Sequence, residues 1–443
     1  MISIILYAFY QLSRFPAILI KQLVLPVFTE ARLKRLSYFI LSGFSIILVS
    51  CNQAASVNIQ VKQDSLTGLK IPEENAVSAE GAARLGNECG LWFDSVLKPK
   101  GFNGGMVVAK NGHIVFERYN GTGHIPGTDL INENTSLHIA SISKTFTAMA
   151  VLKLMQDGEL NLEDEYSKYF TTFNYPGVTI RCLLNHRSGL PNYTYFMDNM
   201  GWDKSRFVTN EDVLNFLITR KTELVDILSP NTHFSYCNTN YALLALLIEK
   251  ITGKKYADYL SETFFTPLHM KNSYVFKLED TAKATPSYNW KGKPETFNFL
   301  DQVYGDKNIY TTPRDLLIWD KALRTNLLFK PKTLEEAYYP YSNEKPGVRN
   351  YGLGWRMYLY PTGEKIIYHN GWWHGSNASF IRLLNDSATI IVIGNKFTRS
   401  VYQAKKLVSI FGNYDNHIDE DETDPVKPEQ AGPLTSKSKK VRK

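Results

Sequence analysis

Two apolar runs in GGMVVAKNGHIVFERYNG, broken at Asn111 and Gly112, predict a β-hairpin within residues 104–121. From Ser141 to about Asn272 the apolar positions take helical spacing, densest in HIASISKTFTAMAVLKL, ALLALLIEKITG and KYADYLSETFFTPLHM, with loops rich in Gly, Pro and Asn between them. From Tyr351 the pattern changes again. LGWRMYLY, KIIYH, ASFIRLL and ATIIVIGN are short apolar runs separated by Pro-Thr-Gly, Gly-Trp-Trp and Asn-Asp, the pattern of neighbouring antiparallel strands, and the amphipathic SVYQAKKLVSIFG is suited to packing a helix on them. Strands, then helices, then strands predict an α+β fold. One antiparallel sheet is built from both chain ends and flanked by helices, an all-helical region is inserted between, and the active site lies where the two meet.

The ends of the chain read differently. Lys34 and Arg35 precede the apolar run SYFILSGFSIILVS, which stops at Cys51, so residues 1–51 are expected to be a signal or membrane-targeting segment. Its last residues, Leu48-Val49-Ser50-Cys51, resemble a bacterial lipoprotein signal, which implies lipidation at Cys51 and an exported, membrane-anchored protein of the periplasm or outer membrane. Residues 1–33 are unusual for a signal and fit an early start codon or a second membrane-seeking segment interrupted by Pro16 and Pro26. Residues 52–90 are polar and read as a tether, residues 91–412 as the folded domain, and the charged 413–443 as a disordered tail. The net charge is +7, of which +4 falls in the first fifty residues and none in the balanced residues 416–443, leaving no basic stripe for nucleic acid. Cys51, Cys89, Cys182 and Cys237 have no metal-ligand spacing, so no metal or other cofactor is expected.

Candidate chemistry begins at Ser141. A serine followed by lysine three residues on occurs four times (at Ser95, Ser141, Ser342 and Ser436), but only Ser141 opens a long helical pattern. There Lys144 shares its face, one turn away. A helix cap would place Glu or Gln at that position, whereas a lysine opposes the dipole; burial and the dipole both favour a neutral amine, which beside a serine is a general base. In SPNTHFSYCNTNYALLALL, Tyr236 and Asn238 precede an apolar helix, where a phenol can pass protons and an amide can hold a substrate carbonyl. In IIYHNGWWHGSNASF a strand ends at His369, Asn370 and Gly371, with the next amide, on Trp372, available to a cleft. Taken singly, Tyr236 and His369 read as packing residues, and Trp373 and His374 read equally well as packing or turn residues.

Together, and in this order, the three stretches resemble the SxxK, YxN and KTG-type motifs of the serine β-lactamase and penicillin-binding-protein superfamily, especially the class C β-lactamases and their esterase and D-amino-acid peptidase relatives. VTIRCLLNHRSGLP around His186 and Gly189, IYTTPRDLLIW at Thr312 and Asp315, and YGLGW at Tyr351 agree with it over about residues 91–412. The resemblance implies an acyl-enzyme on Ser141, proton traffic shared by Lys144 and Tyr236, and an oxyanion held by the amides of Ser141 and Trp372. It further implies that Asn238 orients the acyl group, and that Gly371 keeps the strand edge open. His369 stands where a class C β-lactamase has lysine, which removes a fixed charge and disfavours efficient β-lactam hydrolysis. Trp372 and Trp373 are expected to crowd the position after the glycine.

The expected activity is hydrolysis of an ester, amide or D-amino-acid peptide, with small molecules or peptides as partners. The alternative is a penicillin-binding or sensor domain that binds or is acylated by cell-wall peptides without turnover. A purely structural lipoprotein leaves Lys144 unexplained.

Overall fold

The hairpin that opens the folded region and the strands that close it pair with each other. The computed structural model describes residues 69–344 and 347–414, all belonging to one unit. In chain order its strands are β1 (Gly104–Lys110), β2 (His113–Asn120), β3 (Leu137–His138), β4 (Tyr274–Val275), β5 (Ser287–Tyr288), β6 (Pro294–Glu295) and β7 (Ile309–Thr311), followed by β8 (Arg349–Tyr351), β9 (Arg356–Leu359), β10 (Lys365–Trp373), β11 (Ser376–Leu383) and β12 (Ala388–Gly394). Seven of them form an antiparallel sheet in the order β2-β1-β12-β11-β10-β9-β8. Asn111 and Gly112 both take positive φ, the geometry a two-residue hairpin turn requires.

Side chains alternate between two cores across this sheet. Met106, Val108, Ile366, Tyr368, Ile390 and Val392 face one side, while Val107, Ala109, Ile367, Ile391 and Ile393 face the other. With both faces covered, β12 reads as an unbroken apolar run. The larger core holds α2 (Ser143–Gln156), α3 (Tyr193–Asn199), α4 (Asn238–Thr252) and α5 (Pro313–Arg324). The last is capped by Thr312, whose hydroxyl accepts from the Asp315 amide, with Pro313 in the first turn. The second face is covered by α1 (Ala79–Trp92) and by the helical segment Arg399–Ile410, wound in 3₁₀ form, which buries Val401, Tyr402, Ala404, Leu407 and Val408.

Two expectations change. The polar tether does not extend to residue 90: Leu69 and Ile71 pack on the main core, Glu74 pairs with Arg324 at 2.6 Å, and α1 starts behind a Ser78 cap. Leu85, Cys89, Phe93 and Leu97 supply the reason, a buried stripe one turn apart within otherwise polar sequence. Second, β10 does not stop at Gly371 but pairs with β11 as far as Trp373 opposite Ser376, so Gly-Trp-Trp is strand and the turn falls at His374 and Gly375. A separate three-stranded sheet, β3-β7-β4, is built from residues outside the helical stretch 141–272, and the Ile309 amide of β7 donates to Ser143 Oγ at the start of α2 at 3.1 Å. Cys51, residues 52–68 and residues 415–443 lie outside the described residues. Among the described residues no helix is long and apolar enough to cross a membrane.

Candidate active site

Ser141 sits in a tight turn, Ala140–Ile142, between β3 and α2, and α2 itself begins at Ser143. Ala140 holds φ at +48°, a conformation disfavoured for any residue with a side chain, and this strain lifts Ser141 out of the helix. No side chain caps α2, so the capping role for Ser141 is excluded by geometry. Lys144 lies fully buried in the first turn, its Nζ 3.2 Å from Ser141 Oγ and 2.8 Å from the Asp306 carbonyl oxygen. The rings of Tyr236 and Tyr241 lie 5.1 and 5.6 Å from that nitrogen. The nitrogen is thus enclosed by aromatic faces and oriented by one carbonyl, with its remaining contact directed at the serine.

Tyr236 ends the loop that enters α4, and Asn238 is the first residue of that helix. The loop is fastened through its backbone: Leu228 N donates to Gly189 O, Asn231 N to Arg187 O, and Ser235 N to His186 O. The Cys237 amide donates to His186 Nδ1 at 3.1 Å, which places the imidazole proton on Nε2. Tyr236 then lies on the His186 ring at 4.4 Å between centroids. Burial first, then the charges of Lys144 and Arg356, hold His186 well below the ordinary histidine range, so it stays neutral. His186 is therefore a positioning residue for Tyr236, legible in the sequence only as part of the NHRSG resemblance. Asn238 Oδ1 is buried without a hydrogen-bond partner, an acceptor left for a ligand's N–H. Cys237 is buried, with its thiol pushed up to about 11 by burial and its sulfur against the Leu190 carbonyl at 3.3 Å.

β10 brings the third group. β9 pairs with it only over Lys365–Tyr368, so the edge from His369 to Trp373 is free of β9 where it passes the Ser141 turn. Gly371 is required there: a Cβ would stand 2.1 Å from the Ile139 carbonyl oxygen. It is thus packed on the nucleophile turn. His369 is fully buried and cannot itself contact a substrate: Nδ1 donates to the Asn370 carbonyl at 2.7 Å and Nε2 accepts from the Tyr351 hydroxyl at 3.2 Å. Burial, then Arg356 and Lys144, depress its pKa well below 6.5, so it is neutral. The two tryptophans diverge because strand neighbours point to opposite faces. Trp373 turns inward and donates its indole N–H to Asp301, whereas Trp372 is 40% exposed and lies against Phe397. They do not crowd the serine together.

A positive charge stands beside the site at Arg356 on β9. Its guanidinium carbon lies 4.9 Å from the Tyr236 ring centroid and 6.0 Å from that of Tyr351. Sequence reading missed it because the pairing of Arg356 with Tyr368 across two strands sets its place, with no local motif to signal it. Beyond it a cavity of about 600 Å³ is lined by Phe234, Arg349, Tyr351, Arg356 and Tyr368. Among the described residues no group of three or more His, Cys, Asp or Glu side chains could hold a metal ion. The arrangement can present a serine hydroxyl to a carbonyl, receive its proton on the adjacent lysine, and hold a carboxylate near Arg356.

A family model described as Beta-lactamase matches residues 93–410. Penicillin-binding protein 4* of Bacillus subtilis (strain 168) is 30% identical over 328 residues, 70% of this chain and 72% of that protein. Several other relatives are longer, and the chain spans 64% of their length. Among solved structures, a penicillin-binding protein from Bacillus halodurans shares the fold with a TM-score of 0.64 at 22% identity, covering 72% of this chain and 98% of that one. A D-amino acid amidase from Ochrobactrum anthropi SV3, solved with L-phenylalanine, has a TM-score of 0.60 at 22% identity, with 73% and 97% covered.

Proposed function

Since the chain belongs to the Beta-lactamase family, whose members include serine hydrolases, we propose that it hydrolyses an amide, ester or D-amino-acid peptide through an acyl-enzyme on Ser141. The observation that carries this reading is the buried Lys144 nitrogen 3.2 Å from the hydroxyl of the half-buried Ser141. Ser141 Oγ attacks the carbonyl carbon while its proton passes to Lys144 Nζ, and the amides of Ser141 and Trp372 hold the oxyanion. Collapse breaks the bond to the leaving nitrogen or oxygen, which takes that proton by way of Tyr236. Water then attacks the acyl-enzyme, giving its proton back through Tyr236, and Ser141 is released. Asn238 orients the acyl group through its unpartnered oxygen.

Arg356 favours substrates that end in a carboxylate, as D-amino-acid peptides do. The neutral His369 disfavours rapid β-lactam turnover. Fold likeness to a D-amino acid amidase supports the amide branch. The test is turnover of a D-alanyl-D-alanine peptide, a D-amino-acid amide, a short-chain nitrophenyl ester and a chromogenic cephalosporin, beside Ser141→Ala. Turnover of at least one of the first three, abolished in the variant and exceeding that of the cephalosporin, is expected. Full activity in Ser141→Ala contradicts the reading, and covalent penicillin labelling with no turnover favours the sensor alternative.

The proposal includes export and lipidation at Cys51, supported by the basic and apolar residues before it. Intact mass of membrane-extracted protein tests this: a mature chain beginning at a lipidated Cys51 is expected, and an unprocessed N-terminus contradicts it.

A further inference from the structure

The segment Gly305–Asn308 crosses behind Lys144. Thr147, one turn further along α2, donates its hydroxyl to the Gly305 carbonyl at 2.6 Å, and Lys144 Nζ donates to the Asp306 carbonyl at 2.8 Å. Residue 306 therefore touches Lys144 with its backbone, while its side chain turns the other way. There Tyr193 on α3 donates its hydroxyl to Asp306 Oδ2 at 2.9 Å. Lys307 Nζ stands 3.6 Å from Asp306 Oδ1 and donates to the Tyr193 oxygen and to the Val303 carbonyl at 3.1 Å. Both side chains are 2% exposed, and the Trp373 ring covers Lys307 at 4.8 Å. Neither reaches the cleft.

A buried ion pair is a weak source of stability, because desolvation offsets most of its attraction. What this pair does have is a second, reactive lysine across one peptide unit. We propose that Asp306 and Lys307 are positioning residues for Lys144: they anchor the carbonyl that aims Nζ at Ser141, and their opposed charges set the field in which Lys144 takes up and releases its proton. The inference rests on Lys144 being the base for Ser141. Lys307 lies within the field of Lys144: burial and, to a smaller degree, Lys144 lower the Lys307 pKa while Asp306 and Asp301 raise it.

Other groups face the two lysines. Tyr236, Tyr241, His186 and His369 surround Lys144, and Arg356 adds positive charge from β9. Tyr193, Asp301, His374 and His138 surround the pair. His138, His186 and His369 are buried and neutral, so they do not change charge near pH 7.

The test is the pH profile of acylation by nitrophenyl acetate in Asp306→Asn, Lys307→Met, the double variant and Lys307→Arg. Asp306→Asn leaves the second ammonium unbalanced, which disfavours a charged Lys144, so the acid limb moves to lower pH. Lys307→Met leaves a carboxylate and moves the limb to higher pH. Shifts of about 0.5–1.5 pH units in opposite directions are expected. The double variant and Lys307→Arg stay near wild type, and each single charge removal slows acylation about tenfold or more.

The same substitutions in a Ser141→Cys background, read as the pH midpoint of alkylation by iodoacetamide, shift in the same directions and need no substrate. Wild type that accepts no acyl group contradicts the proposed function, and the cysteine titration then decides this inference alone. Folded variants whose midpoints all lie within about 0.2 units of wild type, or move the same way, overturn it. Should Lys307→Met fail to fold, Asp306→Asn measured against Lys307→Arg makes the same comparison.

Discussion

Replacing Gly371 by alanine probes how closely β10 must pack on the nucleophile turn. The added Cβ would stand 2.1 Å from the Ile139 carbonyl oxygen, 3.1 Å from its carbon and 3.3 Å from Ala140 Cβ. Non-bonded carbon and oxygen need roughly 3.2 Å or more, so strand and turn must separate by about 1 Å. β10 is paired with β11 from Ile366 to Trp373 and cannot shift alone. The turn yields instead, carrying Ser141 away from the strand edge. Misplacement of that size costs about 100-fold in rate, and overpacking of this kind about 1–3 kcal/mol in stability. The assay is single-turnover acylation by a nitrophenyl ester beside a thermal melt. A folded Gly371→Ala that acylates within threefold of wild type refutes the reasoning, because the geometry then tolerates what the contact forbids.

Arg356→Gln should raise KM for a substrate with a free carboxylate about tenfold more than for its neutral amide, and equal effects on both would remove Arg356 from recognition. Three buried histidines make stability depend on pH: burial holds His138 at about 4 and His186 and His369 well below 6.5, whereas the unfolded chain protonates them near 6.5. The unfolded state therefore binds more protons in that window, and stability falls with falling pH, by about 2 kcal/mol per histidine from pH 6.5 to 5, as urea melts at the two values would record. Cys237, buried with its thiol near 11, should resist iodoacetamide in the native protein at pH 8 and react only after unfolding. Loss of activity with modification of the native thiol would contradict its burial.

The features legible in the sequence are those in which neighbouring residues make the structure. The hairpin at Asn111-Gly112, the apolar run of β12 and the dense helix after Ser143 each follow from local pattern, and their order dictates a sheet closed by both chain ends. Residues joined only by packing were not legible. Arg356 reaches Tyr236 by strand register, and the Asp306 carbonyl reaches Lys144 from a loop with no periodicity. β3 and β4 have two residues each, too few for alternation to show. The helix at 79–92 was obscured by its composition, although Leu85, Cys89, Phe93 and Leu97 fall at intervals of four. At the site, the Lys144 anomaly was visible, but its cause was displaced by one turn. Strain at Ala140 makes Ser141 part of a separate turn, so the lysine sits in the helix and the serine outside it.

The central claim is that Ser141 carries the acyl group, and covalent trapping measures it most directly. The purified protein is incubated with a slow acylating ester or penicillin, quenched in acid, digested, and the adduct located by mass spectrometry. The account predicts one added acyl mass on the peptide containing Ser141, formed more slowly in Lys144→Met and absent in Ser141→Ala. An adduct on another residue, or one that forms undiminished without the Ser141 hydroxyl, contradicts it.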